Sequence, residues 1–326
     1  MKVAARSVLT QQYRNIEWLI IDDGSTDDTV EVVKRLAHED GRIRFFSRNR
    51  EPKGANCCRN IGIENAKGEY ILFLDSDDCL LPACVSERVA ALNSSPQLDF
   101  IVFPGAVYRN GNEQQLLKWN VESTLPDLQR FLMFDGVWQT SGVLWRAGSV
   151  SNSNLLWDEQ LVLWQDVDFH SSAILKGMKY KVLWTAPVDH LIKGDSADSL
   201  SRVNYHSTEK INSRKYFWEK YLHASARHTQ LLQLWLRPLM FFVLNDAIVT
   251  KNSMRCRIIL KDALQYGLLS KTDRSLLLIA CLTSIASRMR FNYLFSRLKN
   301  KMFNHIPTLQ KQPLDAAIDI SCCSGI

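Results

Sequence analysis

The sequence predicts an α/β fold with a mostly parallel sheet, followed by an α-helical C-terminal region. Three observations carry that reading. Short, continuously apolar runs alternate with helix-length stretches through about the first 205 residues. Two of those runs end in clustered carboxylates. After about Tyr205 only long helical patterns remain. Strand–helix alternation is the mark of a helix-covered parallel sheet. Strands that are apolar throughout, rather than at every second residue, are buried on both faces.

The elements follow in order. Trp18 to Asp23 is an apolar run closing in two acids, and reads as a buried strand. Ser25 and Thr26 offer hydroxyl caps for a helix from about Asp27 to Ala37. Ile43 to Phe46 is a second strand. Gly54 breaks the chain before a helix from about Ala55 to Ala66, which Lys67-Gly68 ends. Tyr70 to Asp75 is a third acid-tipped strand, Pro82 opens a helix to about Leu92, and Phe100 to Phe103 is a fourth strand. Helical patterns then cover Thr208 to Leu222, Thr229 to Thr250, Arg255 to Tyr266 and Arg274 to Phe303. Pro307 and Pro313 break the chain, and the last fifteen or so residues read as a poorly ordered tail.

A chain of 326 residues holds one large domain and a smaller appendage. The organisation expected is a domain over 1–205, a helical region over 206–304 and a tail over 305–326. The net charge of +6 fits an anionic substrate or an anionic membrane surface, and does not call for nucleic acid. Its basic excess lies between Arg202 and Lys301. Leu276 to Ala286 is the best apolar run, but it is too short to span a bilayer, which takes about 20 residues. It suits a buried helix or one lying in a membrane interface. The eight cysteines form no CxxC, and no secretory signal opens the chain. Free thiols and a cytoplasmic setting, with peripheral membrane contact, are expected.

Four clusters carry chemistry. Asp75-Ser76-Asp77-Asp78 crowds three carboxylates at a strand end, a repulsion that a divalent cation with hard oxygen ligands relieves. Its plain alternative is a solvated turn capping the next helix. Asp22-Asp23-Gly24 is in part a tight turn, yet a carboxylate there also suits the imide N–H of a uracil ring. Lys53, Gly54, Arg59 and Asn60 surround a helix start, where free N–H groups and positive charge suit a diphosphate. Asp166 opens a helix, where the dipole stabilises an anion and a general base can be held. Asp168 lies about 200° further round that helix and cannot share its face. Because ligands bind beyond the carboxyl ends of parallel strands, the two acidic strand ends should share one rim.

The runs Ser7 to Glu17, Ile20 to Asp27, Arg59 to Ile63, Ala66 to Ile71 and Phe73 to Asp78 together resemble the family 2 glycosyltransferases over about residues 4 to 205. That resemblance implies a GT-A fold, a nucleotide-diphosphate sugar donor, inversion at the anomeric carbon and Mg²⁺ or Mn²⁺ as cofactor. It implies that Asp23 contacts the nucleobase, with Asp22, Lys53, Arg59, Asn60 and Ser76 around the nucleotide sugar. Asp75 and Asp77 would form the DxD motif, and Asp78 would be a further metal ligand. Asp166 matches the second acid of the later ED motif, the catalytic base, with Gln165 where Glu is common. Lys193 to Arg202 resembles the loop that closes over the donor. The implied activity is hexosyl transfer from a UDP-sugar to a saccharide or lipid-linked acceptor in bacterial surface polysaccharide synthesis. Members of the family begin with a strand and a Pro-x-Tyr-Asn-like turn, whereas this sequence starts inside the first helix. The alternative is therefore a catalytically impaired remnant that binds nucleotide weakly or not at all. A dinucleotide oxidoreductase is disfavoured, because no GxGxxG follows a strand.

Overall fold

The computed structural model describes residues 2–109, 116–119, 121–194, 204–226, 233, 235–286 and 312–313. Helix α1 (Lys2–Leu9) precedes β1 (Trp18–Asp22), α2 (Thr29–Glu39), β2 (Ile43–Ser47), α3 (Ala55–Asn65) and β3 (Tyr70–Leu72). A two-residue strand β4 (Cys79–Leu80) leads into α4 (Cys84–Asn93), β5 (Phe100–Val102), β6 (Gly105–Arg109) and β7 (Leu117–Lys118). Next come α5 (Asp127–Leu132), β8 (Val143–Arg146), α6 (Ala147–Asn152), α7 (Gln165–Leu175), β9 (Tyr180–Val182) and β10 (His190–Gly194). Four helices follow: α8 (Thr208–Ser225), α9 (Arg237–Val249), α10 (Ser253–Gln265) and α11 (Lys271–Ala286). The strands and the helices expected up to Leu222, and that expected over Arg255 to Tyr266, stand within a few residues of their predicted places; α9 begins at Arg237 where Thr229 was expected, and the expected helix from Arg274 to Phe303 is described only to Ala286, its remainder lying outside the described residues.

The sheet pairings are mixed in detail. β1–β2, β5–β9 and β6–β10 are parallel, whereas β8 returns antiparallel between β3 and β5 and makes the order β3-β8-β5-β9. A third sheet runs β11-β7-β6-β10-β4, where β11 is Gln312–Pro313. No strand was expected that late in the chain, and a two-residue pairing leaves no periodicity to read. Among the described residues β1 pairs only with β2, and β3 only with β8. At the β6–β10 pair, His190 sits opposite Gly105, and any Cβ at Gly105 would collide with the imidazole.

One core runs through the α/β part and the helices. Phe73, Phe100, Trp145, Trp157 and Phe169 belong to the same buried cluster as Phe217 and Trp218 of α8, Leu244 of α9, Leu260 of α10 and Leu277 of α11. Polar ties fix α8 in place. Ser213 Oγ accepts from the backbone N–H of Val162 (3.1 Å) and Leu163 (3.2 Å). Arg214 makes a two-pronged buried pair with Asp246 of α9, at 2.6 and 2.8 Å. Cysteines 57, 58, 84, 256 and 281 are free thiols, but Cys79 is disulfide-bonded. Free thiols throughout were expected, and that reading fails at Cys79 because spacing along the chain does not reveal which sulfurs the fold brings together.

His170 in α7 is fully buried among Phe131, Trp138 and Trp145, and neither ring nitrogen has a hydrogen-bond partner. Burial pushes its pKa from 6.5 down to about 3. Between those values the unfolded chain binds a proton that the folded chain refuses, so this residue costs stability as pH falls. The His170→Phe variant should therefore lose less stability than wild type on acidification from about pH 7 to pH 4, by about 3 kcal/mol, as read from urea unfolding at each pH.

Candidate active site

Both acid-tipped strands present their ends to α3. Asp22, at the end of β1, is buried and spends its carboxylate on the N–H groups of Gly24 (3.0 Å) and Ser25 (3.2 Å). Burial opposes its ionisation, but the Ser25 and Gly24 donors prevail and lower its pKa. Asp22 thus shapes the turn. Asp23 accepts from Arg48 Nε at 2.7 Å and from Gly54 N–H at 3.2 Å, joining the β1 end to the start of α3. Gly54 has φ +144°, a conformation that side-chain-bearing residues rarely adopt. Lys53 is exposed beside it.

Arg59, one turn into α3, joins the parts. Its Nη2 donates to Asp75 Oδ1 at 2.6 Å, and its guanidinium lies 4.3 Å from the Trp157 ring centroid. Asp166, in the first turn of α7, feels both Arg59 and Asp75. Burial raises the Asp166 pKa against the lowering influence of the Val167 N–H and of Arg59. The end of β3 and helix α3 thus meet at Arg59, whose charge also reaches Asp166 of α7. Asn60 is set apart from this face. It is buried, it donates to Trp157 O (2.9 Å) and Glu159 Oε1 (2.8 Å), and it accepts the Trp157 N–H (2.9 Å). Its amide clamps the segment that leads to α7.

Asp168 faces the other way, as the helical spacing requires. It is buried and pairs with Lys220 of α8 at 2.8 Å. Trp164, just before α7, is left-handed at φ 60°, and packs against Phe134 at 4.4 Å, Phe217 at 5.4 Å and Phe242 at 5.7 Å.

In the acidic turn, Ser76 and Asp77 are exposed and Asp75 is half-exposed, whereas Asp78 is buried. Asp78 accepts from Ser141 Oγ at 2.5 Å and from the Lys193 backbone N–H. Burial and the neighbouring Asp75 push its carboxyl well above the ordinary range. Among the described residues no three His, Cys, Asp or Glu side chains converge as a metal site. Asp78 thus lies beside Asp75 and Asp77 but is turned inward into a buried network. The expected donor loop lies outside the described residues from 195 to 203.

Residues 2–151 match the family model described as Glycosyl transferase family 2. This domain belongs to that family. An uncharacterized glycosyltransferase of Haemophilus influenzae is 40% identical over 108 residues, which are 32% of this chain and 38% of that protein. The GalNAc(5)-diNAcBac-PP-undecaprenol beta-1,3-glucosyltransferase of Campylobacter jejuni is 36% identical over 93 residues, 28% of this chain and 30% of that one. The match thus spans well under half of either relative. The crystal structure of S. aureus TarS 1-349 in complex with UDP-GlcNAc aligns with a TM-score of 0.62 at 14% identity, covering 92% of this chain and 88% of that one. That likeness gives the glycosyltransferase domain a GT-A fold.

Sequence reading missed the residues that brace the glycosyltransferase domain's acidic turn. Arg88 of α4, fully buried, grips Asp189 through Nε (2.6 Å) and Nη2 (2.7 Å) and donates from Nη1 to Ser141 O at 2.6 Å. His190 Nδ1 lies 2.8 Å from Asp189 Oδ1. These partners are 53 and 101 residues from Arg88, so no local motif announces them. Arg88→Met should destabilise the fold by about 3–5 kcal/mol, because it leaves the Asp189 carboxylate buried without its guanidinium. Adding Asp189→Leu should recover part of that loss, measured by denaturant unfolding of both variants.

Proposed function

We propose that the chain is an inverting glycosyltransferase that moves a sugar from a UDP-sugar to a saccharide or lipid-linked acceptor in surface polysaccharide synthesis. The observation that supports this reading is the Arg59–Asp75 ion pair at 2.6 Å, which sets a cation at the acidic turn. Arg59 and the exposed Lys53 would hold the diphosphate, and Asp23 the base of the nucleotide. Asp166 would take the proton from the acceptor hydroxyl as it attacks the anomeric carbon. A carboxyl whose pKa burial raises is a stronger base than an exposed one. The C. jejuni relative and the E. coli UDP-Glc:alpha-D-GlcNAc-diphosphoundecaprenol beta-1,3-glucosyltransferase WfaP are named for lipid-linked acceptors, which supports that acceptor class here. The UDP-GlcNAc bound by TarS supports a UDP-sugar donor.

Asp75 and Asp77 are two oxygen-bearing ligands accessible at a strand end, while the neighbouring Asp78 is buried on Ser141. That set fits Mg²⁺ or Mn²⁺, since Mg²⁺ usually takes one or two carboxylates and shares the substrate's phosphates. Such an ion would offset the charge of the departing diphosphate. A chain that binds donor poorly is the second reading, favoured by the β1–β2 pair, which joins no further strand among the described residues. Titration with UDP, with and without Mn²⁺, separates the two.

Turnover is measured as UDP release with a lipid-linked saccharide acceptor. Asp166→Asn should cut it by about 10² or more while donor affinity changes little. Asp168→Asn should act mainly on stability; retained turnover in Asp166→Asn with loss in Asp168→Asn would show that the wrong acid was chosen. Asp77→Ala should abolish turnover with the fold intact, and wild-type activity undiminished by a chelator would refute the metal role.

A further inference from the structure

Helices α10 and α11 pack on each other, and both pack on α9, so their outer stripes look away from the core. Four large apolar side chains stand out on those stripes. Met254 is 65% exposed, Ile258 49%, Leu276 39% and Ile279 54%. Met254 and Ile258 are one turn apart on α10, and Leu276 and Ile279 nearly so on α11, giving each helix an apolar ridge. The other exposed positions of the two helices are Ser253, Arg257, Lys261, Gln265, Lys271, Thr272, Ser275, Thr283 and Ala286. None is acidic. The hairpin's two carboxylates are half-buried: Asp262 lines the same hollow as Met254 and Ile258, and Asp273 accepts from Ser270 Oγ at 2.7 Å. At the rim, Glu219 of α8 is neutralised by Lys215 at 3.3 Å. The sequence prolongs the bias, for Arg274 to Leu314 contains no Asp or Glu and carries Arg288, Arg290, Arg297, Lys299 and Lys301.

We infer that this α10–α11 face docks the chain on an anionic lipid bilayer. Apolar ridges beside basic side chains match a surface that offers acyl chains beneath negative headgroups. A second copy would set Arg257 and Lys261 near their own equivalents, and the acid-free sequence following α11 carries the same sign as the face. No described helix is long and apolar enough to cross a membrane. This docking deepens the lipid-linked acceptor reading and rests on it for its purpose. Vesicle binding is measured without donor or acceptor, so its failure and a failure of the transferase reading are distinct results.

The full chain is mixed with vesicles of phosphatidylcholine, with or without phosphatidylglycerol, and co-flotation is read. Wild type should float with the phosphatidylglycerol vesicles only, and less as salt rises. Ile258→Asp with Ile279→Asp, and separately Arg257→Glu with Lys261→Glu, should each lower the bound fraction about tenfold with an unchanged circular dichroism spectrum. Absence of binding to phosphatidylglycerol vesicles would overturn the inference. So would undiminished binding of both double variants, or a wild-type dimer that the two aspartates dissociate, which would give the face to a second copy.

Discussion

Carboxylates crowded on one rim repel one another, and the positions of the fold's arginines answer that repulsion. Asp23 leans on Arg48, Asp75 on Arg59, and Asp189, behind the acidic turn, on Arg88. Arg59 and Arg88 act on opposite sides of the same turn. Arg59 is partly exposed and meets the carboxylate that faces solvent, while Arg88 is buried and reaches Asp78 only through Ser141. The turn is thus split into an outer half open to solvent and an inner half committed to the fold. A like-charged cluster held wholly by buried partners would have no valence left for substrate.

The helical region is part of the same construction. Lys220 of α8 pairs with Asp158 at 2.7 Å and with Asp168 at 2.8 Å, one on the segment before α7 and one within it. Ser213 takes the N–H groups of Val162 and Leu163 between them. Helix α8 therefore grips the chain on both sides of Trp164, and the shared core of Trp157, Phe169, Phe217 and Trp218 fills the space beneath. A helix that merely covered a sheet face would need no such polar stitching, because apolar burial alone would hold it.

Much of this was legible in the sequence, and the reasons are local. Trp18 to Asp22 and Tyr70 to Leu72 are apolar runs with acids at their ends, so strand, direction and rim follow from a few adjacent residues. The different facing of Asp166 and Asp168 follows from helical geometry alone, and in the structure Asp168 pairs with Lys220 whereas Asp166 does not share that partner and lies within the electrostatic reach of Arg59. What sequence could not supply is whatever depends on distant partners. Asn60 sits in a run that suits diphosphate binding, yet its amide is consumed by Trp157 and Glu159, about a hundred residues on. Asp78 looks like its neighbours in the motif, and only the tertiary fold turns it inward onto Ser141. The antiparallel return of β8 likewise has no signature in a pattern of apolar runs.

The left-handed backbone at Trp164 lies where the helical region meets the α/β part. A bulky residue at positive φ is an outlier whose strain, of order 1–3 kcal/mol, persists only where surroundings over-determine it. Here the surroundings are Phe134 at the end of α5, Phe217 on α8 and Phe242 on α9, three rings from three parts of the fold. The strained residue immediately precedes Gln165 and Asp166, so it sets the angle at which α7 begins and hence where the Asp166 carboxylate points. A glycine would adopt that conformation without strain, but it would not fill the aromatic pocket or resist a change of angle. The chain instead uses a large ring at the hinge, clamped by two helices from beyond residue 205. The placement of the acid opposite Arg59 is thereby tied to the docking of the helical region onto the α/β part.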